Sequence, residues 1–218
     1  MSMVNERLIE YINALEVELP EYLEKLEEVA KETEVPIIRK EAQSLLRFLL
    51  RLQKPKKILE VGTAIGFSAS FMSEYMPEEC TLTTIEKVPM RIVCAKENLA
   101  NIPKAEKVTL LTGEAMDLLK KLADENNQFD FIFMDAAKGQ YMSFLPEIMR
   151  LLPVGGLLVT DNVLQEGSIV ESKYTIPRRD RTIHMRMREY LYTLKHMEEL
   201  ETVILPVGDG MALSTKIK

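Results

Sequence analysis

The chain has 218 residues, of which 46% are hydrophobic and 28% are charged, and its formal net charge is -6. This length suits one α/β domain with a full core, expected to span residues 1–218, and the acidic balance argues against a general nucleic-acid-binding protein. No apolar run approaches the length of a membrane span, and no secretory signal is visible. Cys80 and Cys94 are too few for a disulfide framework or a four-cysteine zinc site, so a cytoplasmic protein is expected.

Three amphipathic helices are predicted before the first strand. Apolar residues recur at helical spacing over residues 4–19, 21–33 and 39–52. Pro20 suits the first turn of the second helix, and Pro36 interrupts the pattern. Because no Gly- or Ser-rich linker follows, residues 1–53 are predicted to be an N-terminal extension that packs on the domain or on a second subunit.

From Lys56 onward the predicted strands and helices alternate. Strands are predicted at 57–61, 81–85, 107–111, 129–134, 156–160, 201–205 and 210–217, and helices at 67–75, 89–100, 115–124, 141–151 and 182–197. Apolar strands separated by helices imply a parallel sheet with helices on both faces. The last two strands are joined only by the turn-forming residues 207–210. The predicted fold is therefore α/β, with a seven-stranded, mostly parallel sheet whose last strand is antiparallel.

Ligands of such sheets bind beyond the carboxyl ends of the strands, so the residues that follow each strand are the candidates for chemistry. Gly62 and Gly66 bracket a turn that places backbone N–H groups at this edge, although an ordinary strand-to-helix turn has the same pattern. Glu86 ends the second strand, where an acid either accepts the hydroxyl protons of a ribose or caps a helix. Ala64 replaces the second glycine of the dinucleotide-binding pattern, so a nucleoside without phosphate fits better. Residues 113–115 either lie along an adenine or begin a helix.

A second group of polar residues follows the fourth and fifth strands. Asp135 ends one strand and Asp161 and Asn162 end the next, and they should converge because these strands are predicted to be neighbours. Their oxygen atoms favour a hard divalent cation, Mg²⁺ first, although the aspartates could instead cap helices. Lys138 is a candidate general base near that cation or a solvated surface lysine. Tyr141 either lines the same mouth or begins a helix core.

The order and spacing of these segments resemble the cation-dependent, S-adenosylmethionine-dependent O-methyltransferases, a family that includes catechol and caffeoyl-CoA O-methyltransferases. The resemblance covers nearly the whole chain and implies a class I methyltransferase (Rossmann-like) fold, Mg²⁺ or another divalent cation, and a homodimer. It implies that the methionine part of the cofactor is held by Glu60, Gly62 and Ser68, the ribose by Glu86, the adenine by Gly113, Glu114 and Ala115, and the metal by Asp135, Asp161 and Asn162. It also places Asp135 and Lys138 in catalysis, with Asp135 beside the cofactor, and Ile38 in the segment that closes over the cofactor.

Two features concern the acceptor. Ala136 and Ala137 stand where catechol enzymes carry bulky aromatic residues, and the chain has no tryptophan, so a more open acceptor site is expected. Residues 173–188 hold six bases and one acid. Among them Arg178, Arg179 and Arg181 are expected to bind a phosphate-bearing substrate, unless they belong to a solvated helix face.

The segment Arg-Arg-Asp-Arg-Thr-Ile-His at residues 178–184 also resembles the bacterial branch that methylates 5-hydroxyuridine at the tRNA wobble position, giving 5-methoxyuridine. That base carries a hydroxyl beside a carbonyl, and a flipped anticodon base would fit an open mouth. The first hypothesis is therefore a tRNA 5-hydroxyuridine O-methyltransferase. The second is an enzyme that acts on a small catechol or caffeoyl-CoA-type molecule. The third is a cofactor-binding interaction protein without catalysis, against which the intact metal and lysine set counts.

Overall fold

A computed structural model describes residues 5–218. The helices are α1 (Glu6–Asn13), α2 (Glu21–Glu32), α3 (Lys40–Gln53), α4 (Phe67–Tyr75), α5 (Pro89–Ala100), α6 (Ala115–Asp124), α7 (Tyr141–Leu151) and α8 (Arg181–His196). The strands are β1 (Lys57–Val61), β2 (Thr81–Glu86), β3 (Val108–Thr112), β4 (Phe131–Met134), β5 (Leu157–Thr160), β6 (Leu200–Leu205) and β7 (Met211–Lys216). Short 3₁₀ helices occur at Ala105–Lys107, Lys138–Gln140 and Gln165–Val170. No helix in this described part of the chain has the length and apolarity needed to cross a membrane.

The strands form one seven-stranded sheet in the order β3-β2-β1-β4-β5-β7-β6. β1 to β5 are mutually parallel, whereas β7 is antiparallel to both of its neighbours, β5 and β6. This confirms the predicted fold class, including the antiparallel last strand. The chain order reverses between β1 and β4, and this switch point is where doubly wound sheets bind ligands.

Side chains alternate between two apolar cores on the two faces of the sheet. On one face, Ile58 of β1 packs in the core that contains residues of α2, α3, α4 and α5. On the other face, Leu59 packs in the core that contains residues of α6, α7 and α8. The central strands are covered by a core on each face of the sheet. This packing holds the carboxyl ends of the strands in a fixed arrangement.

The first helix is shorter than predicted. It ends at Asn13 rather than at residue 19, and the predicted start at residue 4 lies outside the described residues. After Asn13 the chain makes a tight turn, in which Leu15 N–H donates to the carbonyl of Ile12. The residue before a proline is disfavoured in helical backbone, so a helix cannot run comfortably through Leu19 into Pro20. The pattern of apolar residues did not reveal this break.

Candidate active site

One pocket of about 770 Å³ opens at the carboxyl edge of the sheet, where β1, β2, β4 and β5 end. This volume is in the range of small-molecule and cofactor sites. Its walls come from residues 35–39, the turn after β1, the segments after β2 and β3, and the segments after β4 and β5. The predicted site residues among its lining are Ile38, Gly62, Ser68, Glu86, Gly113, Glu114, Ala115, Asp135, Lys138, Asp161 and Asn162. The structure therefore brings these predicted residues together from distant parts of the chain.

Gly62 lies where the segments that follow β1, β2 and β3 meet the segments that follow β4 and β5 in the pocket wall. Its φ is +108°, and a Cβ built on it would lie 1.9 Å from the carbonyl oxygen of Asp135. Its N–H donates to the carbonyl of Ile85 at 3.1 Å, which continues the β1–β2 ladder into the turn. Only glycine combines this φ with so close an approach to a neighbouring backbone. The end of β1 consequently lies directly against the end of β4.

Glu60 lies behind the lining rather than in it. Its side chain is fully buried, it accepts a hydrogen bond from the Thr84 hydroxyl, and its Oε1 has no partner among residues 5–218. Burial raises the pKa of this carboxyl to about 7, and the hydroxyls of Ser68 and Thr84 offset part of that rise. A buried carboxylate oxygen without a partner is costly, so this atom is a strong candidate for a cationic or N–H donor supplied by a ligand.

Glu86 is held rigidly at the end of β2. One of its carboxylate oxygens accepts from Ala64 N–H at 2.9 Å, and the other accepts from Lys87 N–H and Val88 N–H at 2.8 and 2.9 Å. The side chain is buried yet belongs to the pocket wall. Three backbone donors fix its position, as a receptor for a pair of ribose hydroxyls requires.

The segment 35–39 forms the wall opposite the glycine turn. Ile38 is buried, and its carbonyl accepts a hydrogen bond from Gln43 Nε2 at 2.9 Å. Arg39 pairs with Glu166 at 3.0 Å, and both residues line the pocket. The segment therefore lines the pocket and also contacts the loop that follows β5.

Asp135, Asp161 and Asn162 converge as predicted, because β4 and β5 pair in parallel. Asn162 Nδ2 donates to Asp135 Oδ1 at 2.8 Å, and Asn162 N–H donates to Asp161 Oδ1 at 2.7 Å. Asn162 has a φ of +62°, a left-handed conformation that asparagine tolerates better than most residues. The two carboxylates and the amide thus form one compact group whose oxygen atoms could ligate a cation.

The electrostatics of this group suit a bound cation. Burial, followed by repulsion from Asp135, raises the pKa of Asp161 to about 7. Burial also raises the pKa of Asp135, although Asn162 and Lys138 act in the opposite direction. No group of three or more His, Cys, Asp or Glu residues arranged for a metal exists within residues 5–218. Two carboxylates with one amide oxygen still match the sparse protein ligation of Mg²⁺, which keeps several waters.

Lys138 lines the pocket from the short 3₁₀ helix after β4. Its Nζ is 3.1 Å from Asp209 Oδ2, and its side chain is 33% exposed whereas that of Asp209 is 8% exposed. The ammonium is therefore held by a carboxylate that comes from the β6–β7 turn, at the edge of the metal group. Lys138 lies in the same pocket wall as Asp135, as expected from the sequence, whereas its partner Asp209 was not predicted.

Tyr141 begins α7 and lies in the core beneath the site, so the second of its two predicted placements is the one observed. It is 1% exposed and is not part of the pocket wall. Its hydroxyl donates to the carbonyl of Asp161 at 3.2 Å and lies 3.3 Å from the N–H of Ala136, which donates to it. Burial raises the pKa of this phenol well above its usual value, so it stays a donor and braces the ends of β4 and β5.

The predicted substrate-binding arginines lie outside the pocket wall. Arg178 and Arg179 are exposed, and Arg179 contacts the neighbouring Asp180 at 3.4 Å. Arg181 instead donates to the carbonyls of Ile176 and Tyr174, at 3.0 and 3.3 Å, and so stabilises its own loop. The sequence pattern grouped the three arginines together. In the structure Arg181 is half-buried and bonded to its own loop, whereas Arg178 and Arg179 are exposed.

One link connects the basic segment to the pocket. Arg186 Nη1 donates to the carbonyl of Gly139 at 2.9 Å, and the neighbours of Gly139, Lys138 and Gln140, line the pocket. Arg186 therefore ties the basic segment to the pocket wall, whereas Arg178 and Arg179 do not line the pocket.

Several residues of the pocket wall were not found in the sequence, namely Arg39, Thr63, Arg91, Glu166 and Asp209. Asp209 lies in the Gly-Asp-Gly turn that the sequence did predict. The sequence did not show that β7 pairs with β5, and it is this pairing that brings the turn to the site.

Known proteins resemble this chain over most of its length. A model of the O-methyltransferase family matches residues 13–217. A catechol O-methyltransferase from Niastella koreensis is 32% identical over 170 residues, which are 78% of this chain and 77% of the relative. A caffeoyl-CoA O-methyltransferase from Stellaria longipes is 29% identical, covering 98% of this chain and 91% of the relative. The O-methyltransferase TomG from Streptomyces achromogenes, solved in complex with S-adenosylmethionine, superposes with a TM-score of 0.84 at 26% identity, covering 99% of this chain and all of that structure.

Proposed function

This chain belongs to the O-methyltransferase family, and we propose that it transfers the methyl group of S-adenosylmethionine to a hydroxyl that lies beside a second oxygen, with a divalent cation bound to both. The enzyme is an S-adenosylmethionine-dependent O-methyltransferase of the catechol and caffeoyl-CoA type. The use of Mg²⁺, the roles of individual residues and the acceptor are parts of the proposal.

The observation that carries the proposal is the contact between the two halves of the pocket. Residues suited to a nucleoside, such as Glu86, share one pocket with the oxygen atoms of buried Asp161 and of half-buried Asp135 and Asn162. The close approach of Gly62 to Asp135 puts these halves side by side. A methyl donor and a chelated hydroxyl held in this way meet without a large movement, and proximity of this kind supplies much of the rate of such reactions.

The residues have distinct tasks in this proposal. Glu60, Gly62 and Ser68 hold the methionine end of the cofactor, Glu86 holds the ribose, and residues 113–115 border the adenine. Asp135, Asp161 and Asn162 hold the cation, and the ammonium of Lys138 faces the acceptor oxygen. Bound Mg²⁺ would lower the pKa of a chelated hydroxyl, and S-adenosylmethionine would supply the methyl group.

The first candidate for the acceptor is a small aromatic diol or its coenzyme A ester. The named relatives that act on catechol and caffeoyl-CoA support this choice. Two adjacent hydroxyls on a ring are also a natural bidentate ligand for an oxygen-preferring cation.

The second candidate is 5-hydroxyuridine at the wobble position of tRNA, giving 5-methoxyuridine. The specific support is the exposed pair Arg178 and Arg179 on the loop before α8, since exposed arginines suit phosphate groups. Ala136 and Ala137, which line the pocket, leave room for a flipped base.

An acceptor assay tests the proposal. We expect labelled methyl transfer from S-adenosylmethionine in the presence of Mg²⁺ to catechol or caffeoyl-CoA, and none to hydroquinone, whose hydroxyls lie too far apart to chelate one cation. A chelator should abolish the transfer. Equal methylation of hydroquinone, or activity that survives the chelator, would contradict the chelated-hydroxyl mechanism.

The same assay with tRNA that carries 5-hydroxyuridine separates the two acceptors. Methylation of this tRNA but of neither small molecule would replace the first candidate by the second. In that case Arg178→Ala and Arg179→Ala should each reduce the slope of log affinity against log salt by about 1, because each removes a phosphate contact. The matched control is Lys120→Ala with Lys121→Ala, two exposed bases on α6, which should leave the slope unchanged.

A homodimer, implied by the family resemblance, is also part of the proposal. Its support lies in the exposed apolar residues of α1 and α3, among them Tyr11 and Ile12 on α1 and Phe48 and Leu52 on α3. Exposed apolar side chains grouped on neighbouring helices are typical of an interface with another protein chain.

A further inference from the structure

Asp209 is an acid at the tip of the β6–β7 turn, and it is only 7% exposed. It lies in the pocket wall beside Lys138, Asp161 and Asn162. Its negative charge contributes to the raised pKa of Asp135 and Asp161. A third carboxylate next to two others is electrostatically costly, so its presence calls for a compensating role.

One side of the Asp209 carboxylate binds Lys138. The distance from Lys138 Nζ to Asp209 Oδ2 is 3.1 Å, and Asp209 is much the more buried of the two side chains. A buried ion pair of this kind restricts a flexible lysine to one rotamer and one position. The lysine that faces the acceptor is therefore positioned by a residue 71 places away in the sequence.

The other side of the carboxylate binds the loop that follows β5. Glu166 N–H donates to Asp209 Oδ1, and Leu164 N–H donates to the Asp209 carbonyl at 3.0 Å. The loop has left-handed φ at three consecutive residues, Gln165, Glu166 and Gly167. Two of these are not glycine, so the backbone here needs support from its surroundings. The Asp209 carboxylate supplies part of that support.

We propose that Asp209 is a positioning residue, whose single carboxylate holds the Lys138 ammonium and the backbone of the post-β5 loop in one arrangement around the acceptor. This proposal rests on the role proposed above for Lys138, because Asp209 acts through that lysine. Asp209 couples two structures that both border the acceptor half, so the lysine is in place only when the loop after Asn162 is also in place.

Asp209→Asn separates the two tasks of this carboxylate. Its amide oxygen still accepts from Glu166 N–H, whereas its amide group carries no charge for Lys138. We expect Lys138 to react several-fold faster with an amine-acylating reagent in this variant, measured by peptide mass spectrometry on protein without metal or cofactor. The matched control is Asp124→Asn, which removes the exposed Asp124–Arg150 ion pair on α6 and α7 and should leave Lys138 unaffected.

Steady-state kinetics measure the effect of Asp209→Asn on catalysis. Asp209→Asn should lower kcat by up to about 10²-fold, the effect expected of a misplaced reacting group, with the KM for S-adenosylmethionine unchanged. Combined with Lys138→Ala, it should lower kcat no further, because both changes remove the same interaction. An unchanged Lys138 acylation rate, or the same loss of kcat in the Lys138→Ala background, would overturn the proposal.

Two further outcomes are distinguishable. If Lys138→Ala alone leaves kcat unchanged, the catalytic role of Lys138 fails and the positioning role of Asp209 in catalysis falls with it, whereas the acylation rate still reports on the ion pair. If Asp209→Asn melts below the assay temperature, Asp209→Glu is the second variant, because it keeps the charge. Slow acylation of Lys138 in Asp209→Glu supports the ion pair, and fast acylation contradicts it.

Discussion

At the residue scale, the site is defined by three acids, two in the pocket wall and one behind it. Glu60, Asp135 and Asp161 all have a raised pKa with burial as the main cause. Such groups destabilise the folded protein when they are charged. Titratable groups perturbed in this way cluster at functional sites, and here Asp135 and Asp161 line the pocket while Glu60 lies behind its wall.

The first prediction concerns Glu60. Its pKa is 4.5 in the unfolded chain and about 7 in the folded protein, so the folded state binds the proton more tightly. The stability that this provides is fully present below pH 4.5 and is lost as the pH rises to about 7. Glu60→Gln should therefore gain stability relative to wild type between these values, by about 3 kcal/mol in total.

Urea unfolding at pH 5 and pH 8, with chelator and without cofactor, measures this difference. The free energy of unfolding of Glu60→Gln minus that of wild type should be larger at pH 8. The same difference at both pH values would show that Glu60 is not buried as a destabilised carboxylate.

Much at the residue scale was readable in the sequence, and some was not. Asp135, Asp161 and Asn162 were found because each follows an apolar strand, and strand ends are where such sheets bind ligands. Tyr141 was left between two placements, because a tyrosine at the start of a helix fits a mouth and a core equally well. The placement of Glu60 behind the wall was also hidden, because alternation along β1 does not say how deep the pocket reaches.

At the element scale, the pocket depends on how close the ends of β1 and β4 come to each other. Gly62 permits this approach through its positive φ and its missing side chain. Spacing alone gave an even choice between an ordinary turn and a ligand-binding turn. The contact with Asp135 supports the ligand-binding turn proposed above, because a plain strand-to-helix turn does not require it.

The second prediction uses two glycines with similar backbones. Gly62→Ala places a methyl group 1.9 Å from the Asp135 carbonyl oxygen, whereas Gly155→Ala, at φ +83°, meets nothing within 4 Å. Gly155→Ala should cost only the backbone strain, about 1–3 kcal/mol. Gly62→Ala should cost more in thermal unfolding and should also weaken binding of S-adenosylmethionine in calorimetry, because Asp135 must move. Equal effects of the two changes on both measurements would contradict the role given to Gly62.

The element order in space was the least predictable feature. Hydrophobic periodicity gave the strands and the antiparallel direction of the last one, because a short turn joins β6 and β7. Periodicity does not report which strand pairs with which, and β7 lies between β5 and β6. This one insertion brings Asp209 to Lys138, so the partner of the lysine could not be read from the sequence.

At the scale of the whole molecule, charge is distributed unevenly around one pocket. The net charge is -6, and acids outnumber bases seven to four in the pocket wall, while exposed Arg178 and Arg179 lie on the loop before α8. An acidic pocket attracts a cation, and an exposed basic loop attracts an anionic acceptor. The Arg186–Gly139 hydrogen bond joins α8 to the segment that contains Lys138.

The central claim is that Asp135, Asp161 and Asn162 hold a divalent cation beside the methyl donor. Calorimetric titration of Mg²⁺ into the protein saturated with S-adenosylhomocysteine tests it without knowledge of the acceptor. Wild type and the control Asp124→Asn should bind one Mg²⁺ per chain, and Asp161→Ala should show no binding in the same range, because it removes one of the two anionic ligands proposed for the ion. Undiminished Mg²⁺ binding by Asp161→Ala, or none by wild type, would contradict the claim.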